Sequence, residues 1–270
     1  MKRIFSGKDL AKLIFPLVIE LMLTLLVGMI DSVMVSSAGE AAVSGVSLVD
    51  TVFQLLIYIF SAFGTGGAVV AGQYLGAGQK DHAKETAQQL VWFSALSSIM
   101  IMGLVYLIRG FLLGHVYDAI TQEVHWNANR YLMIVGVSIP ALSIYESGAA
   151  IFRTMGNSKI TMMLSAVMNV VNICGNAILI YGVGMGTAGA ATATVVARYT
   201  AAVIMILLLL RTNQPLYLKR TLKYIPDGNK IKRILQIGVP NGIENGLFQV
   251  GKIILAGLFT RFGTSAITAN

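Results

Sequence analysis

The sequence predicts an all-α integral membrane protein: a six-helix transmembrane bundle plus the first helix of a second, repeated bundle. Three observations lead there. Hydrophobic residues make up 56% of the 270 positions and charged residues only 12%, with a mean hydropathy of +0.73, whereas soluble domains run at about 45–50% apolar and about 25% charged. Runs of about 18 or more apolar residues, the length that crosses a bilayer, recur along the chain. The third is an internal repeat with an offset of 224 residues (240 − 16).

Apolar runs set against polar breaks give spans near 13–36, 47–74, 88–112, 127–152, 160–182, 187–210 and 235–260. The breaks carry turn chemistry, as in Gly76-Ala77-Gly78-Gln79-Lys80 and Gly156-Asn157-Ser158-Lys159. Met1-Lys2-Arg3 before an apolar stretch imitates a signal peptide, and Ser36-Ser37-Ala38 imitates its cleavage site. Pro16, Glu20, Asp31 and the length of the stretch make it the first span instead. The expected organisation is residues 1–210 as an N-terminal bundle, 211–234 as a cytoplasmic inter-bundle loop, and 235–270 as the first helix of a truncated C-terminal bundle.

Positive residues resist translocation, so their distribution orients the chain. On alternate sides of the spans, fifteen Lys and Arg face three, which places the N-terminus and the 211–234 loop in the cytoplasm of a multi-pass cell-membrane protein. The net charge of +8 is therefore loop charge, and nucleic acid is not an expected partner. In the repeat, Pro16-Leu-Val-Ile-Glu20 falls on Pro240-Asn-Gly-Ile-Glu244, Leu23 on Leu247, Gly39 on Gly263 and Ala42 on Ala266. Pro-x-x-x-Glu followed at equal distance by Gly-x-x-Ala implies two bundles, the second missing beyond its first helix and an expected partner of this one.

Ionisable residues inside spans are expensive and default to functional candidates, at roughly 2.5–3.5 kcal/mol each on insertion scales. Five acids qualify: Glu20, Asp31, Asp50, Glu146 and Glu244. Glu20 and Asp31 are eleven residues apart, three helical turns, on one face with Thr24 between them. Such a stripe suits a proton or cation; a structural acid bonded near the Pro16 break is the other reading. Asp50, near the start of its span, reads as a helix cap. Asn169, Asn172 and Asn176 align on one face of span five, either as interhelical glue or as a polar lining beside a carboxylate. Thr194 and Arg198 are one turn apart in span six, with Arg198 expected to snorkel to the interface. Lys252 lies two turns after Glu244 and is a possible counter-ion.

Other chemistries are weakly supported. His115 and His125 have no Cys or His at metal spacing, Gly72 to Lys80 lacks a phosphate-loop pattern, and Cys174 is alone inside an apolar run. No cofactor is expected beyond H⁺ or Na⁺ as a coupling ion. An intramembrane enzyme using Asp31 with Glu20 or Glu146, or a non-transporting membrane subunit, are the readings from other classes; the first lacks a nucleophile-and-base motif.

Val27-Gly-Met-Ile-Asp31-Ser-Val-Met-Val-Ser36, Gly39-Glu40-Ala-Ala-Val43 and Gly66-Gly-Ala-Val-Val-Ala-Gly-Gln-Tyr-Leu-Gly76 resemble the first two helices of multidrug and toxic compound extrusion (MATE) transporters. Phe152-Arg153-Thr-Met-Gly156-Asn-Ser-Lys is similar to the family's loop between helices four and five. Asn176 to Gly182 and Gly186 to Thr194 are similar to its helix five to six segment. The resemblance implies two six-helix bundles around a central cavity that export cationic or amphipathic organic compounds in exchange for Na⁺ or H⁺. It also implies an ion-coupling site of Asp31, Asn172, Asn176 and Thr194. Asn176 departs from many members, which carry Asp there, and Glu244 rests on the internal repeat alone. A lipid-linked saccharide flippase of a related superfamily is the alternative within transport.

Overall fold

The structure, a computed structural model, describes residues 7–116, 120–219 and 224–259. Its regular elements among the described residues are helices: α1 (Gly7–Ser36), α2 (Glu40–Gly76), α3 (Lys80–Phe111), α4 (Gln122–Val135), α5 (Ile139–Thr154), α6 (Ser158–Asn176), α7 (Thr187–Leu209) and α8 (Gly228–Phe259). Short π-helical turns extend α3 over Leu112–Val116 and α6 over Ala177–Gly182. The helices overrun the apolar runs because their polar first turns, such as Glu40 to Gly45, continue the helix outside the hydrocarbon.

Six rods among the described residues are long and apolar enough to cross a membrane. One of them, Gln122–Thr154, is α4 and α5 joined through a single 3₁₀ turn at Gly136–Ser138. Pro140 follows that turn in the first positions of α5, where a missing N–H costs least. The seventh rod, α8, has the length of a span but carries Asn241, Glu244, Asn245, Gln249 and Lys252, which lower its apolarity.

The inter-helix turns close as the sequence predicts. At the end of α2 the N–H groups of Gly78 and Gln79 reach back to the carbonyls of Leu75 and Tyr74 at 3.1 and 2.9 Å. Gly78 takes φ +76° there, a left-handed conformation that lacks penalty only without a Cβ.

Helix α2 is the hub, flanked by α3, α4, α5 and α8, while α1 packs chiefly on α6. One core, around Leu48, Phe53, Leu132 and Ile139, fills the end nearer the start of α2. A second, around Leu90, Phe152, Met205 and Leu209, fills the other end. Large apolar side chains of α1, including Phe15, Leu21, Met29 and Val33, are exposed, as lipid-facing surface should be. Helix α8 runs antiparallel to α2 at close approach: a Cβ at Gly66 would stand 2.2 Å from the carbonyl oxygen of Ile234. Only glycine fits that crossing.

The connection expected over 211–234 is helical from Gly228 onward, and described residues before it, such as Tyr224 and Ile225, contact the bundle. Trp92 stacks on Tyr224 with centroids 5.5 Å apart, and Gln89 Nε2 donates to the Ile225 carbonyl at 2.7 Å. Lys230 joins Glu85 at 2.6 Å and Asp227 at 3.1 Å. The polar ends of the helices supply this anchorage, so a long segment without apolar periodicity is ordered by side-chain pairs. The far end of the repeat, Gly263 and Ala266, lies outside the described residues.

Asp227 caps α8: its Oδ1 accepts from the backbone N–H groups of Asn229 and Lys230 at 3.1 and 3.2 Å. The Lys230 backbone N–H and then its ammonium hold this carboxyl below its usual range. A depressed folded pKa means the contribution is complete above the unfolded value and is lost as pH falls through the folded one. Replacing Asp227 by Ala is expected to cost about 0.5–2 kcal/mol at neutral pH. Unfolding in detergent should show the wild-type advantage shrinking in acid; an advantage independent of pH would contradict the capping role.

Candidate functional site: two charged clusters on helix α1

Asp31 enters the bundle from α1 and meets the Asn face of α6. Asn176 Nδ2 donates to Asp31 Oδ1 at 2.7 Å, and Asn172 Nδ2 donates to Thr194 Oγ1 of α7 at 3.1 Å. Thr194 in turn donates to the Ala190 carbonyl at 2.9 Å. Asn176 Nδ2 also reaches Asn172 Oδ1 at 3.4 Å, which joins the expected quartet of Asp31, Asn172, Asn176 and Thr194 into one network.

Its hydrogen bonds depend on how the Asn172 amide is oriented. With the Asn172 nitrogen on Thr194, the Asn172 oxygen faces Asp31, which suits a protonated carboxyl or one holding a cation. With the amide turned over, its nitrogen donates to Asp31 Oδ1 and Oδ2 at 2.8 and 3.0 Å, and its oxygen accepts from Thr194 at 3.1 Å. An ionised, empty carboxylate requires the second arrangement, because acceptor facing acceptor is repulsive.

A cavity of about 340 Å³ opens beside this network, lined by Asp31, Asp50, Gln54, Tyr131, Asn169 and Arg198 among others. Asn169 is buried and its Nδ2 has no partner among the described residues, and neither has the buried Asn176 Oδ1. A free donor and a free acceptor stand ready beside a carboxylate. The oxygens of Asp31, Asn172, Asn176 and Thr194 are the hard ligands that a proton or alkali cation takes. Among the described residues no three His, Cys, Asp or Glu side chains come together to hold a metal ion.

Two readings from sequence are corrected here. Asp50 is no cap: α2 starts ten positions earlier at Glu40, so Asp50 lies inside the helix and opens onto the cavity, accepting from the Tyr131 hydroxyl at 3.2 Å. Arg198 does not snorkel: it turns inward, donates to Ser138 Oγ at 2.9 Å and sits 4.8 Å over the Phe53 ring. The first was a misplaced helix start; the second depends on packing between distant helices, for which the sequence carries no periodic signal. Tyr131 and Gln54 were missed for the same reason.

Glu20 occupies a second cluster toward the basic end of α1. Its Oε1 accepts from Arg153 at 3.1 Å and Tyr145 at 3.4 Å, and its Oε2 from Thr161 at 2.9 Å. Glu146 lies within electrostatic reach of both Arg153 and Glu20. Glu244 and Lys252 are not brought to either cluster: both are exposed on α8, with the Lys252 ammonium 5.2 Å from the Phe248 ring.

The MatE family matches residues 16–178, more than half of the chain. The chain belongs to the MatE family. It is 28% identical over 268 residues to the uncharacterized transporter YisQ of Bacillus subtilis, covering 97% of this chain and 58% of that protein. It is 27% identical over 267 residues to a probable multidrug resistance protein NorM of Thermotoga maritima, covering 97% of this chain and 57% of that protein. It thus spans under two thirds of the length of these relatives. The fold superposes on the inward-facing form of a multidrug resistance MATE family transporter with a TM-score of 0.83 at 22% identity, over 95% of this chain and 59% of that one. For an outward-facing form the TM-score is 0.81 at 20% identity, over 95% and 63%. The match to the MatE family includes both α1 acids and all three asparagines of α6.

Removing one partner of the Glu20–Arg153 pair strands the other charge beside apolar helices. Arg153→Gln is expected to lower unfolding stability by about 1–3 kcal/mol, with Glu20→Gln in the same chain recovering part of it. Additive losses in a double-mutant cycle, measured by thermal unfolding in detergent, would contradict a coupled pair.

Proposed function

We propose that this chain is the N-terminal bundle of a secondary efflux transporter in the cell membrane, its N-terminus cytoplasmic. The whole protein exports cationic or amphipathic organic compounds by antiport with H⁺ or Na⁺ across two bundles. The observation that carries this reading is the Asp31 carboxylate, whose two oxygens lie 2.8 and 3.0 Å from the Asn172 amide.

A cation or proton on Asp31 turns the Asn172 oxygen toward it and the nitrogen toward Thr194, leaving the Thr194 hydroxyl on the Ala190 carbonyl. Release reverses the amide and draws the Thr194 hydrogen away from Ala190. Loading thereby changes the bonds joining α1, α6 and α7, and a ligand that bonds two states differently shifts their balance. The similar TM-scores against inward- and outward-facing relatives suit a bundle that keeps its fold while access alternates. Relatives named as transporters and multidrug resistance proteins favour transport over catalysis.

Asp31→Asn in the complete two-bundle protein, reconstituted in vesicles, is expected to abolish coupled efflux and ion counterflow together. Unchanged coupled transport would sink the assignment of Asp31 as the coupling group.

A further inference from the structure

Arg198 is an anomaly in the cavity. Its guanidinium has five N–H donors and donates to the neutral Ser138 hydroxyl, while no carboxylate among the described residues lies within ion-pair distance. A cation placed among apolar helices without an ion pair must be answered by charges slightly farther away. The candidates facing it are Asp50 of α2 and Asp31 of α1, with Tyr131 of α4 between; α6 contributes only amides. Asn169, buried and with a free Nδ2, faces the same space.

We propose that Arg198 is the resident cation of this cavity, fixing how much positive charge the site accepts. This rests on Asp31 as the coupling group. Two ionised carboxylates and one guanidinium leave the empty cavity with a single net negative charge. One proton or one Na⁺ neutralises it, and a second is opposed by Arg198. Asp50, held by Tyr131 at 3.2 Å, is the counter-charge that prevents Arg198 from repelling the first cation. Arg198 and Asp50 set affinity and stoichiometry without being the groups that exchange the ion.

The test is cation binding by the purified full chain in lipid nanodiscs. Calorimetric titration with NaCl at constant ionic strength reads Na⁺, and proton uptake on acidification in sodium-free choline buffer reads H⁺. For separated unit charges at an effective dielectric of about 20, each change is expected to be worth about tenfold in affinity. Arg198→Gln is expected to tighten binding of the bound cation by about that factor and to admit a second equivalent. Asp50→Asn should weaken binding by a similar factor, and the double variant should return close to wild type. Arg198→Lys keeps the charge while losing the guanidinium geometry, so it should stay close to wild type and separates charge from packing. Arg198→Gln and Asp50→Asn leaving affinity unchanged, while Asp31→Asn abolishes binding, would overturn the charge balance alone. Binding that survives Asp31→Asn would instead overturn the coupling assignment beneath it.

Discussion

A carboxylate inside a membrane-type helix bundle is costly unless polar partners answer its charge. That constraint on Asp31 organises the interior of this bundle. It calls for Asn176 at 2.7 Å and for Asn172 with either face of its amide, and it links α7 through Thr194. Helix α1 packs chiefly on α6, and its other large apolar side chains are exposed among the described residues.

The chain repeats one solution along α1. Asp31 and Glu20 stand three turns apart, and each shares its surroundings with a second carboxylate, an arginine, a tyrosine and a threonine from other helices. The two differ in closure. Glu20 is tied directly to Arg153, whereas Arg198 stands off from both acids and leaves a cavity between them. A direct ion pair fixes a helix; a separated set of charges leaves room for a mobile one.

Much of this was legible in the sequence because lipid imposes simple rules. Apolar runs located the six rods long and apolar enough to cross a membrane, and the three-and-four spacing of Asn169, Asn172 and Asn176 placed them on one face of α6. The illegible parts were of two kinds. Helix ends hid behind polar first turns, so Asp50 was taken for a cap when α2 already began at Glu40. Contacts between helices remote in sequence, such as Arg198 with Phe53 and Glu20 with Arg153, leave no periodic trace. Glu244 and Lys252 were singled out by charge and repeat, yet packing leaves both exposed on α8.

The central claim is that occupancy of Asp31 sets the orientation of the Asn172 amide. Infrared difference spectroscopy between sodium-free acid and sodium-free alkaline conditions reads both groups at once. A protonated-carboxyl C=O band should appear in acid and vanish in Asp31→Asn. A side-chain amide band should shift with it and be absent in Asn172→Leu. A carboxyl band that titrates with no accompanying amide change would contradict the switch.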